Sequence, residues 1–74
     1  MYYTVMVRIR LKVREIAIDR GFNQALLARK ADVDFKTVKR LFQNPYRDVN
    51  ISTLYKLART LGTSVDELIE AESE

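Results

Sequence analysis

Neither cysteine nor histidine occurs anywhere in the 74 residues. Without cysteine, no disulfide or thiolate–metal site can staple the fold, so a small core has to hold it alone. Without histidine, the chain lacks the commonest metal ligand and the usual general base at neutral pH. Zinc sites, Ser-His-Asp catalysis and Cys-His catalysis are excluded. No nucleophile–base pair can be assembled from what remains, so the expectation is a protein that is not an enzyme and needs no cofactor. Only two glycines and one proline interrupt the chain, which favours helix over loop. No apolar run approaches the length of a membrane span, and no signal-peptide pattern opens the sequence, so a cytoplasmic protein is expected.

What is present fits one small globular domain over residues 1–74. Apolar residues make up 47% and charged residues 31% of the chain, an ordinary folding balance. A domain of this size buries only about 60% of the surface its unfolded chain exposes. The net charge of +3 hides a strong asymmetry. Asp66, Glu67, Glu70, Glu72 and Glu74 crowd the last nine residues with no base among them. The first 65 residues hold all 13 basic side chains against 5 acidic ones, a net of +8. Lys36, Lys39, Arg40 and Arg47 occupy a stretch with no acid at all. A local basic face on a small domain points to a polyanion, nucleic acid first. A solvated basic surface without a partner is the plainer alternative.

Residues 2–10 alternate: Tyr3, Val5, Val7 and Ile9 fall on one face, Thr4, Arg8 and Arg10 on the other. Period two with β-branched and aromatic residues predicts a strand. From Leu11 the period becomes helical, with Val13, Ile16 and Ala17 on one side and Gly21 as the stop. Asn23 caps a second helix that buries Leu27, Ala28 and Ala31. Asp32-Val33 breaks it, and Asp34 caps a third helix with Val38 and Leu41 inward. Asn44-Pro45-Tyr46-Arg47-Asp48 forms a loop. Asn50 caps a fourth helix whose stripe is Ile51, Leu54, Leu57, Ala58 and Leu61, ended by Gly62. Ser64 and Glu67 make a capping box for a fifth, to about Glu70, burying Val65, Leu68 and Ile69. The helical core thus spans residues 11–70, and the acidic tail 71–74 is expected to fray. Asp66, Glu67 and Glu70 read as solvated helix surface rather than as oxygen ligands for a metal.

Two short helices joined by a tight turn and flanked by supporting helices describe a helix-turn-helix. Ala28 sits where the two helices cross, and a larger side chain would push them apart. Asp32 occupies the turn position that needs a left-handed backbone, which Asp tolerates better than most residues. Val33 and Val38 fill the space between the helices.

The run Gly21-Phe22-Asn23-Gln24-Ala25-Leu26-Leu27-Ala28-Arg29-Lys30-Ala31-Asp32-Val33, followed by Thr37-Val38-Lys39-Arg40-Leu41, resembles the Cro/repressor-type (Xre-like) helix-turn-helix regulators. Residues 50–68 resemble that family's fourth and fifth helices, so the likeness spans about residues 9 to 70. Three positions depart from its pattern: Asp32 for the usual Gly, Asp34 for the usual Ser cap, and Phe42 for a polar residue. The resemblance implies an all-α, five-helix domain, here preceded by a short β-strand arm. It also implies sequence-specific binding of double-stranded DNA in transcriptional regulation, of repressor type, at the nucleoid. The third helix, residues 34–43, would enter the major groove.

Carried over by position, Phe35, Lys36, Thr37, Lys39, Arg40 and Gln43 face the bases. Arg and Lys suit guanine O6 and N7, Gln suits adenine, and the Phe35 ring suits a thymine methyl or packs on the neighbouring turn. Gln24 faces a phosphate at the positive end of the second helix. Asn44, Tyr46 and Arg47 are expected at phosphates, although Tyr46 equally suits a lid on the core. A lone strand cannot satisfy its own backbone, and the five helices offer no second strand. Tyr3, Val5, Val7 and Ile9 are therefore expected to make a homodimer by antiparallel pairing with a second copy. The competing reading is a protein-interaction module, such as the antitoxin half of a toxin–antitoxin pair. Ile18, Leu26 and Phe42 would supply its surface.

Overall fold

A computed structural model describes residues 7–73. The elements follow in the order β1 (Val7–Leu11), α1 (Val13–Asp19), α2 (Gln24–Ala31), α3 (Phe35–Gln43), α4 (Ile51–Leu61), α5 (Val65–Leu68) and β2 (Ile69–Ser73). The five helices close around one apolar centre. Val13 and Ala17 enter it from α1, Leu27, Ala28 and Ala31 from α2, and Val38 and Leu41 from α3. From α4 come Leu54, Leu57, Ala58 and Leu61, and from α5 Leu68. These are the i, i+3, i+4 positions of each helix, so the helical period alone selects them. No polar or charged side chain is buried among the described residues.

Local chemistry bounds α1, α2 and α4 close to where the sequence predicts, although the Asn50 side chain makes no cap bond to α4. Gly21 and Gly62 both take positive φ, at 79° and 71°. The Asn23 side chain accepts the Leu26 N–H at 2.8 Å and caps α2. Arg20 reaches across from the end of α1 to donate to the Leu61 carbonyl, which satisfies an orphan acceptor in the last turn of α4. Among the described residues, no helix is long and apolar enough to cross a membrane.

The two ends of the chain depart from the reading above. Leu11 lies in β1 rather than in α1, and α5 stops at Leu68 instead of running to Glu70. Residues 69–73 are a strand, where the sequence predicts a helix end to residue 70 and a frayed tail from 71, and they pair antiparallel with β1 in the register Val7↔Ser73, Ile9↔Ala71, Leu11↔Ile69. The reason is a second period-two pattern: Ile69 and Ala71 share a face with Leu11 and Ile9. On the other face Arg10 stands opposite Glu70 and Arg8 opposite Glu72, at 3.6 and 3.7 Å. Cross-strand pairs of this kind are the stabilising unit of a sheet. The strand partner expected from a second copy is thus supplied by this chain. Tyr3 and Val5 of the expected arm lie outside the described residues.

Three apolar side chains also differ. Ile51, expected in the buried stripe of α4, is the first residue of that helix and is 72% exposed. Phe42 is half-buried and packs against the core from the flank of the inward stripe, and Leu26 is half-buried as well. Of the three residues offered for a protein-docking surface, only Ile18 is well exposed, at 59%.

The Ser64–Glu67 capping box forms with both of its bonds. The Glu67 N–H donates to Ser64 Oγ at 3.3 Å, and the Ser64 N–H donates to Glu67 Oε1 at 3.3 Å. That backbone bond, with help from the Ser64 hydroxyl, holds the Glu67 carboxyl below its ordinary range. A depressed folded-state value means the stabilisation is complete above the unfolded carboxylate range. It is lost as pH falls through the folded value. Thermal melts from pH 7 down to pH 3 should therefore show the advantage of the native chain over Glu67→Gln shrinking with acidity. An advantage that stayed constant over that window would remove the carboxylate from the cap.

Candidate nucleic-acid interface

The candidate interface is centred on the turn between α2 and α3. Asp32 adopts φ 58° and ψ 47°, the left-handed conformation its position demands. Its neighbour Val33 donates N–H to the Ala28 carbonyl at 3.0 Å and turns its half-buried side chain inward. The chain then re-enters helix at once. The Asp34 carboxylate accepts the Lys36 N–H at 3.0 Å, so this acid serves as the cap of α3. The carboxylate is thereby engaged with its own helix, where negative charge is favourable.

Helical geometry divides α3 into two faces. Val38 and Leu41 are buried, while Lys36, Lys39, Arg40 and Gln43 are exposed on the opposite side. Those four recur at i, i+3, i+4 and i+7, the spacing of a single stripe. Thr37 flanks the stripe half-buried. Phe35 flanks it on the other side, 46% exposed, beside Asp32 and Val33 of the turn. Among the described residues, Lys36, Lys39, Arg40 and Arg47 enter no salt bridge. The pairing acids go elsewhere: Glu72 to Arg8, Glu70 and Glu15 to Arg10. The bond to Glu15 is the main cause that raises the Arg10 guanidinium further above its ordinary value. Positive charge on α3 and the following turn is left free for an external anion.

Gln24 begins α2, at the end of the helix away from the α2–α3 turn, and is half-buried. Asn23 takes the Leu26 N–H, and the N–H groups of Gln24 and Ala25 are among the orphan donors that any helix start presents. Asn44 closes α3 by donating its N–H to the Arg40 carbonyl at 2.8 Å. Its Oδ1 accepts from the Tyr46 N–H, which leaves its amide nitrogen as a donor. Arg47 is exposed at the end of this turn.

The structure commits Tyr46 differently from the expected phosphate contact. Its hydroxyl donates to Glu72 Oε1 at 2.9 Å, and its ring carries the Arg8 guanidinium 4.3 Å from the centroid. The bond to Glu72 is the first cause that raises the phenol above its usual range, so the hydroxyl remains a protonated donor. Arg8 and Glu72 were missed as site-related residues. The signal for them was the alternation of Arg8 and Arg10 near one end against Glu70 and Glu72 near the other.

The sequence pattern of the Cro/C1-type HTH DNA-binding domain matches residues 12–74. The chain belongs to that family. The match starts just after β1 and takes in both helices of the turn, α4, α5 and β2. The fold extends the likeness to the whole chain. The crystal structure of transcriptional regulator VanUg superimposes with a TM-score of 0.73, covering 100% of this chain and 96% of its own, at 24% identity. No curated protein matches the chain.

Proposed function

We propose that the protein is a sequence-specific double-stranded DNA-binding regulator of transcription, of repressor type, that lays α3 in the major groove. The observation that carries this reading is the free cationic stripe: Lys36, Lys39 and Arg40 share one exposed face of α3, with Arg47 in the next turn. The salt bridges among the described residues join Glu15, Glu70 and Glu72 to Arg8 and Arg10, and none involves these four cations. A structural relative that is itself a transcriptional regulator supports the regulatory role. In this reading Lys36, Lys39 and Arg40 donate to guanine edges and Gln43 pairs with adenine, while Phe35 and Thr37 meet thymine methyls. Gln24, Asn44 and Arg47 hold phosphates, which fixes register and carries no base information. The protein then acts in the cytoplasm at the nucleoid.

A homodimer through β1 belongs to the same reading, now on the strand's other edge. The Leu11 N–H points away from β2, to the Pro45 carbonyl at 2.7 Å. Alternation along a strand turns the main-chain groups of Ile9 and Val7 to that same side. Val7 and Ile9 are 50% and 47% exposed, so an open edge adjoins an apolar face. A second copy related by a two-fold axis would cover both and set two α3 helices for half-sites about 34 Å apart.

Selection from a random duplex library tests the roles. Arg40→Ala should lose about 1–3 kcal/mol on the preferred site and relax the base preference at one position. Gln24→Ala should weaken all sequences alike. Identical base profiles for the two variants would contradict α3 as the reading helix.

A further inference from the structure

The turn after α3 is fastened from several directions, and the fastenings converge on one side chain. Main-chain bonds shape it: Leu11 N–H to the Pro45 carbonyl at 2.7 Å, and Arg47 N–H to the Asn44 carbonyl at 3.3 Å. Tyr46 adds the link that leaves the turn altogether. Its N–H donates to Asn44 Oδ1 at 3.1 Å, and its hydroxyl donates to Glu72 Oε1 at 2.9 Å. Among the described residues, and salt bridges apart, this last is the one hydrogen bond that joins two side chains far apart in sequence. Arg8 completes the cluster, 4.3 Å above the ring and 3.7 Å from Glu72 Oε1, where it offsets the carboxylate's charge.

Asn44 and Arg47, on either side of Tyr46, are the two donors of this turn. An exposed arginine that meets a phosphate from a loose turn loses conformational freedom on binding; from a fixed turn, it loses less. We propose that Tyr46 is a positioning residue for DNA binding, holding the 44–47 turn against β2 through Glu72 so that Asn44 and Arg47 meet the phosphate backbone in a set geometry. The inference rests on the DNA-binding reading above. It makes an acid near the end of the chain a contributor to polyanion binding, the opposite of what its charge alone would do.

The test measures affinity for one fixed duplex across a salt series, in the full chain, with a thermal melt of each variant. Tyr46→Phe removes only the hydroxyl and changes no charge. It should weaken binding about 3- to 10-fold, the scale of one net hydrogen bond. The slope of log K against log salt should also flatten by up to about 0.9, one phosphate's worth. Glu72→Ala should bind several-fold more weakly than Glu70→Ala, which makes the same charge change on the same strand without touching Tyr46. Glu72→Gln keeps an acceptor for the hydroxyl and should retain the native slope. The double variant Tyr46→Phe with Glu72→Ala should be no worse than the weaker single one, since both cut one link.

If Tyr46→Phe weakened binding while Glu72→Ala matched Glu70→Ala, the hydroxyl would be touching phosphate itself and the positioning role would be overturned. Lower melting temperatures with unchanged slopes would overturn it too, leaving Tyr46 a purely structural brace. A native chain that bound no duplex at low salt would instead remove the DNA-binding reading, and this inference with it.

Discussion

Leu27→Ala is expected to lower stability by about 2–5 kcal/mol. Leu27 sits in α2 with no exposed surface, in the layer where α2 meets the rest of the core. Truncation removes its transfer energy and leaves a cavity that the short, mutually braced helices cannot close. A chain of 74 residues has a total stability of only about 4–11 kcal/mol by general scaling. The loss is therefore a large share of everything that holds the domain. At about 4–8 °C for each kcal/mol in a domain of this size, the melting temperature should fall by tens of degrees at the upper end. Leu27→Met keeps the volume and should cost less than about 1.5 kcal/mol. Thermal melts followed by circular dichroism make the comparison. A melting temperature within a few degrees of native for Leu27→Ala would mean that α2 is not packed as described.

The features legible in the sequence are the ones encoded within a turn or two of helix. Asn23, Asp34, Ser64 and Glu67 are caps whose partners lie two or three residues away, and each forms the predicted bond. Asp32 is recognisable as the left-handed turn residue because few side chains tolerate that backbone. The exposed stripe of α3 follows from the period of Val38 and Leu41 alone. Non-local structure was hidden. Ile69–Ser73 ends an acidic stretch whose sequence neighbours offer no strand partner, so its start reads as the end of α5 and its remainder as a frayed tail. Its partner is Val7–Leu11, near the other end of the chain. Only the complementary order Arg8, Arg10 against Glu70, Glu72 could have announced it. Tyr46 was illegible for the same reason, since Glu72 and Arg8 reach it from the two strands. Ile51 followed the stripe of α4 and is nonetheless exposed, because periodicity marks a face but not where the core beneath it ends.

Under the proposed function, the free cations on α3 and the turn after it meet a nucleic-acid backbone. Each copy offers four of them, Lys36, Lys39, Arg40 and Arg47, none in a salt bridge among the described residues. Gln24 and Asn44 add uncharged donors. Each phosphate neutralised releases condensed counterion and contributes about −0.9 to the slope of log K against log salt. Two copies on one duplex make roughly 6–10 such contacts, which predicts a slope near −5 to −9 and a loss of about 10³–10⁵ in affinity between 50 and 200 mM salt. A single copy would give about half that slope, so the same titration reports on the dimer. Surface charge without a partner predicts neither the steepness nor binding at low salt. The decisive measurement is the affinity of the native chain for duplex DNA across that salt range: a steep linear fall is the predicted result, and a slope near zero would contradict the account.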